Sequence, residues 1–178
     1  VSWLDKYVDC IVYINLDERT DRKKLCEATL DSVDISPYYR VPAIKDHIFG
    51  IRGCTLSHYN VIKHAKENNY KNILIFEDDF IITNAPTFKS NLLATFQQIK
   101  SNNITPDMLY LGGNLATGYA ENHKKIDNNL YKIGGAKTTH SYIIYNKLFD
   151  IILKKYDNIN FNDNSIWTGQ NRANIDYY

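Results

Sequence analysis

The sequence is poor in cysteine, with three residues in 178, and it lacks any long apolar run. Cys10, Cys26 and Cys54 are too few and too scattered for a disulfide framework, and no two of them have metal-ligand spacing. Cys10 opens an apolar run and Cys54 sits at an expected helix start, so all three are expected to be buried free thiols. That usage points to a reducing compartment such as the cytoplasm. No stretch is apolar for long enough to span a bilayer. The opening residues Val1 to Lys6 carry no basic segment followed by an apolar one, so no signal peptide is expected in them. Charge of one sign is also missing: 21 Lys and Arg oppose 20 Asp and Glu, a formal net charge of +1. Bulk attraction to nucleic acid or to a membrane is thereby excluded, and an anionic ligand must be held by a local site.

What is present is ordinary for a globular domain: 44% hydrophobic and 23% charged residues, in a chain long enough for a real core. Cys10 to Ile14 is a β-branched and aromatic run that reads as a buried strand. Asp17 to Leu30 follows as a helix, and Pro37 to Pro42 as a short strand between proline boundaries. A second helix is expected from about Gly53 to Asn69, with Leu56, Tyr59, Val61, Ile62 and Ala65 as its apolar stripe. Asn72 to Phe76 is apolar throughout, as in a central parallel strand covered on both faces. Pro86 to Lys100 fits a helix with proline in its first turn, and Asp107 to Leu111 a strand. Asn114 to Asn129 reads as surface loop. Leu130 to Ile133 and Ser141 to Tyr145 read as strands, Lys147 to Tyr156 as a helix, and Asp157 to Arg172 as loop. The alternation predicts an α/β fold with one doubly wound, Rossmann-like sheet.

Glu77-Asp78-Asp79 follows directly on the most hydrophobic strand. Ligands in open α/β sheets bind beyond the carboxyl ends of strands. Three successive carboxylates repel one another unless they are solvated or neutralised by a cation. Oxygen ligands suit Mg²⁺ or Mn²⁺. Residues two apart in an extended stretch project to one side, so Glu77 and Asp79 should share a face while Asp78 points away. On composition alone, an acidic turn that caps the next element is the commoner outcome.

Arg19 and Arg22 follow the first strand and Arg52 precedes the second helix. They could clasp a diphosphate with forked hydrogen bonds, or form local ion pairs at a solvated helix start. Gly50 and Gly53 stand just before the expected helix, where free backbone N–H groups suit an anion, although no Gly-Lys-Ser/Thr follows. His58 has an orienting hydrogen bond as its plainest role. His47, His64, His123 and His140 form no ligand pattern and are expected to be structural or at the surface.

Four segments in this order resemble glycosyltransferase family 25. The first is Ile14-Asn15-Leu16 with Arg19 and Arg22. The second is Gly50-Ile51-Arg52-Gly53-Cys54-Thr55-Leu56-Ser57-His58, and the third is Ile73-Leu74-Ile75-Phe76-Glu77-Asp78-Asp79. The fourth, looser one comprises Leu109 to Gly112, Ser141 to Ile144 and Ile175-Asp176. The resemblance implies a GT-A fold and inverting transfer of a hexose, galactose or glucose, from a UDP-sugar. The acceptor would be a hydroxyl of a glycan, a lipooligosaccharide or a hydroxylysine-type protein. It implies Mn²⁺ or Mg²⁺ on Asp79 and Glu77, and donor binding by Asn15, Arg19, Arg22, Arg52, Ser57, Glu77 and Asp78. Asp176 stands where the family places an aspartate and is the candidate general base. Further sequence past Tyr178 is expected on the acceptor side, so residues 1–178 read as one glycosyltransferase domain, cut short or minimal. Two other functions use the same features: an inactive nucleotide-sugar-binding module, and a metal-dependent phosphohydrolase or nucleotidyltransferase.

Overall fold

The computed structural model describes residues 2–113, 123–134, 136 and 138–168. Its centre is a five-stranded sheet. Strand β1 (Cys10–Asn15) is followed by helix α1 (Thr20–Asp31), strand β2 (Tyr39–Pro42), helix α2 (Gly50–Glu67) and strand β3 (Asn72–Glu77). Helix α3 (Ala85–Ser101), strand β4 (Met108–Gly112) and the hairpin β5 (Lys124–Asp127) and β6 (Leu130–Lys132) come next. Strand β7 (Ser141–Tyr145) and helix α4 (Phe149–Asp157) complete the layers, joined by a single 3-10 turn at Asn146–Leu148. A further 3-10 turn spans Asn164–Trp167.

The sheet order is β2-β1-β3-β7-β4. β1 pairs in parallel with β2 and with β3, whereas β7 runs antiparallel to both β3 and β4. The sheet is therefore mixed. The expectation of a central strand is met, since Ile73, Leu74 and Ile75 are fully buried between two neighbours. The expectation of wholly parallel surroundings is corrected by β7.

Side-chain alternation splits the core into two layers. Ile11, Tyr13, Leu74, Phe76 and Ile143 face Cys26 and Leu30 of α1 and Leu92 and Phe96 of α3. Val12, Ile14, Ile73, Ile75, Tyr142 and Ile144 face Val61, Ile62 and Ala65 of α2 and Ile152, Leu153 and Tyr156 of α4. Helices thus cover both faces, which is why β3 needs no polar alternation.

Three boundaries differ from expectation for local reasons. α2 begins at Gly50 rather than Gly53. The Asp46 carboxylate accepts from the backbone N–H groups of Ile48 and Phe49, at 2.9 and 2.8 Å, and organises the turn upstream. The expected loop 114–129 contains β5, which pairs with β6 around Asn128 and Asn129. This hairpin is polar and mostly exposed, so it lacks the apolar alternation that marks a strand. Cys10 and Cys26 are buried as expected, but Cys54 is exposed. Among the described residues, no helix is long and apolar enough to cross a membrane.

Candidate active site

β1 lies between β2 and β3, and the crossovers to them pack α1 and α2 on opposite faces. Such a reversal opens a crevice outside the carboxyl ends of the two strands. Ile14 is the register partner of Glu77, so the two strand ends lie side by side there.

Asn15 closes β1 and is 1% exposed. Its Nδ2 donates to Asp78 Oδ2 at 2.7 Å and to the Arg19 carbonyl at 3.1 Å. Its Oδ1 accepts from Arg40 Nε at 2.9 Å. Donors and acceptor of the amide are all used, as burial of a polar group demands. Arg22 Nη1 donates to Asp78 Oδ1 at 2.8 Å and lies 3.7 Å from Asp79 Oδ2. Asp78 therefore faces inward, toward α1 and the end of β1, and its side chain is only 11% exposed.

Glu77, the last residue of β3, and Asp79, in the turn that follows, face Thr139 and His140 instead. Glu77 Oε1 accepts from Thr139 Oγ1 and lies 3.1 Å from His58 Nε2. His58, 3% exposed on α2, holds its Nδ1 2.7 Å from the hydroxyl of Tyr142 on β7. Asp79 Oδ1 is 3.0 Å from His140 Nδ1, which is also 3.8 Å from Glu77 Oε2. The backbone N–H of Glu77 donates to the His140 carbonyl at 3.0 Å. Burial pushes the Glu77 carboxyl up, but the hydrogen bond and charge of His58, with the Thr139 bond and the nearby His140, more than offset it. The net shift is below the ordinary glutamate value, so Glu77 is an anion at neutral pH.

Glu77, Asp79 and His140 each offer one ligand atom, and those atoms lie within 4.8 Å of one another. Two carboxylates and an imidazole fit a divalent ion, with the nitrogen favouring Mn²⁺ over Mg²⁺. The donor set expected from oxygen atoms alone thus gains a histidine. Asp79 and His140 also line a groove of about 1570 Å³ bounded by α3, β4 and β6. That exceeds the roughly 300–1,000 Å³ of common small-molecule pockets.

The remaining candidates are engaged as follows. Arg19 pairs with Asp21 at the surface, at 2.8 Å, and its carbonyl holds Asn15. Arg52 pairs with Asp46 and donates to Asn164 Oδ1 at 2.8 Å and to the Phe161 carbonyl at 3.3 Å. It ties the start of α2 to the chain that follows α4. Ser57 is 1% exposed, donates to the Gly53 carbonyl at 2.7 Å and accepts from the Ile44 N–H at 2.8 Å. Both bonds serve packing, and burial leaves that hydroxyl no open side. Asp176 lies outside the described residues. His140, expected to be structural or at the surface, belongs to the acidic corner, together with Thr139. Their approach depends on β7 running antiparallel to β3, which no local pattern encodes.

A doubly wound α/β protein with an acidic, metal-competent corner at its strand-order reversal is thereby defined. The family model for glycosyltransferase family 25 (LPS biosynthesis protein) matches residues 49–167, and the chain belongs to that family. Within the matched span lie His58, Glu77, Asp78, Asp79 and His140, whereas Asn15, Arg19 and Arg22 precede it. The chain is also 32% identical over 111 residues to the Acanthamoeba polyphaga mimivirus protein "Putative glycosyltransferase R655". That likeness covers 51% of this chain and 34% of the viral protein.

Proposed function

We propose that this chain transfers a hexose, galactose or glucose, from a UDP-sugar to an acceptor hydroxyl with inversion, on a GT-A fold formed by residues 1–178. The observation that carries this is the gathering of Glu77, Asp79 and His140 at the carboxyl end of the central strand, beside the groove. These three residues would hold Mn²⁺ or Mg²⁺. A divalent ion held there supplies the positive charge against which a diphosphate departs.

The chain's own residues do the remaining work. His58 and Thr139 fix the Glu77 carboxylate, and the Tyr142 hydroxyl fixes His58, so the donor atom is aimed before any ligand arrives. Asn15 and Arg22 hold Asp78 out of the groove and set the turn that presents Asp79. Arg22, 37% exposed at its side chain and next to Asp79, is the cation placed to meet a phosphate oxygen. Inversion also needs a base on the face opposite the leaving group, and Asp176 is the residue we propose for it. The acceptor we propose is a glycan, lipooligosaccharide or hydroxylysine-type hydroxyl.

Calorimetry of UDP-galactose and UDP-glucose with and without Mn²⁺ tests the proposal. Binding should require the ion, and Asp79→Ala should abolish the ion-dependent part while leaving the far-ultraviolet circular dichroism unchanged. Equal donor affinity in that variant would remove Asp79 from the site. Phosphate release without sugar transfer would point instead to a phosphohydrolase. Tight donor binding with no transfer to any acceptor would point to a binding module.

A further inference from the structure

Cys54 and His58 stand four residues apart on α2 and so project from one face of the helix. Glu77, at the end of β3, meets them there. Cys54 Sγ is 4.0 Å and His58 Nε2 is 3.1 Å from Glu77 Oε1. The three ligand atoms all lie within 4.8 Å of one another. Zinc bonds of about 2.0–2.3 Å in a tetrahedral site put N, O and S ligands roughly 3.3–3.6 Å apart. The two separations bracket that spacing. We propose that Cys54, His58 and Glu77 form a second metal site, for a borderline-soft divalent cation of the Zn²⁺ class, which shares Glu77 with the harder set.

The chemistry differs from that of the neighbouring set in a way that selects the ion. Glu77, Asp79 and His140 offer mostly oxygen, whereas a thiolate with an imidazole favours Zn²⁺ over Mg²⁺ or Mn²⁺. Thiolate and carboxylate together cancel the double positive charge. The His58 ring is already aimed, since its Nδ1 rests 2.7 Å from the hydroxyl of the fully buried Tyr142. That leaves Nε2 as the ligand, with an outer partner behind it as metal-binding imidazoles usually have. On binding, the Cys54 thiol proton passes to solvent, and Nε2 gives up its hydrogen bond to Glu77 and ligates through its lone pair, with the ring proton on Nδ1 facing the Tyr142 oxygen. Cys54 is exposed, so an ion reaches the site directly. Three protein ligands leave a fourth position open.

Because Glu77 belongs to both sets, Zn²⁺ would withdraw a ligand from the corner that holds the harder ion. The site itself needs no sugar transfer to exist, so the two proposals can fail separately. The metal-free chain of residues 1–178 is titrated with Co²⁺, which reports thiolate ligation by a near-ultraviolet charge-transfer band. The wild type should show the band, and Zn²⁺ should extinguish it. Cys54→Ser, an isosteric change at an exposed position, should lack it, while Cys10 and Cys26 remain as internal thiol controls. His140→Ala, outside this set, should keep it. Zn²⁺ affinity in Cys54→Ser should fall by more than the roughly 10–100-fold that loss of an outer partner costs. No thiolate band in the wild type, or an undiminished one in Cys54→Ser, overturns the site. In a second arm, Zn²⁺ should weaken Mn²⁺-dependent UDP-sugar binding in the wild type but not in Cys54→Ser. Equal weakening in both would overturn the sharing of Glu77. Failure of UDP-sugar to bind under any metal would overturn the transferase proposal and leave the cobalt result standing.

Discussion

Asp78 and Asp79 are chemically alike and adjacent, yet the structure gives them opposite surroundings. Asp78 is gripped by Asn15 and Arg22, whereas Asp79 faces His140 and the groove. Asp78→Asn should therefore act on folding. It removes charge-assisted hydrogen bonds, which contribute about 1.5–3 kcal/mol each, and turns an amide N–H toward a donor. An unfolding free energy lowered by about 1–3 kcal/mol, read from urea denaturation, is expected. Mn²⁺-dependent donor affinity should change far less than in Asp79→Ala. The reverse order of effects would show that the inward carboxylate is the ligand. The split between Glu77 and Asp79 on one side and Asp78 on the other was expected from strand alternation, although β3 ends at Glu77 and a turn sets the two aspartates. His140 was not, because its place depends on which way a strand over sixty residues later runs.

At the scale of elements, the start of α2 shows why a glycine pair misled. Gly53 reads as an opening for an anion, but it lies inside the helix, where a Cβ would sit 2.4 Å from the Ile44 carbonyl oxygen and 3.1 Å from the Asp46 nitrogen. The loop before α2 crosses the helix at contact distance, and only hydrogen fits between them. Gly53→Ala should destabilise by about 1–3 kcal/mol or more, the cost of overpacking against backbone, as read from chemical denaturation. An unchanged midpoint would mean that the loop moves freely away. Asp46 closes the same junction. Its hydrogen bond to Arg52, with those from the Phe49 and Ile48 N–H groups, holds its carboxyl down to about 2. A carboxyl depressed in the folded state adds stability that is complete above its unfolded value and lost as pH falls through the folded one. The acid limb of the stability profile below about pH 4 should thus be shallower in Asp46→Asn. An identical limb would remove this pair from acid unfolding. The helix and its apolar stripe were visible in advance, but its first turn was not. That turn follows Ile48 and Phe49, whose N–H groups are held by a carboxylate that lies outside the helix.

Across the whole molecule, the strongest pattern in the chain became the centre of the fold: Ile73 to Phe76, apolar without a break, lies in the middle of five strands. Weak patterns went to the edges, where β5, in a hairpin with lysine, asparagine and tyrosine on its exposed side, was read as loop, although β6 was read as strand. The central position of β3 has a consequence for exchange with deuterated water. Its amides are paired to β1 on one side and β7 on the other, under two layers of helix, and Ile73, Leu74 and Ile75 have no exposed surface. They should exchange only when the entire chain opens, whereas amides of β2 and β4, each bonded to one neighbour, should exchange through smaller openings. Glu77 is the last residue of that slowest strand. The carboxylate on which both proposed cation sites converge is thus anchored to the part of the molecule that local fluctuation reaches last.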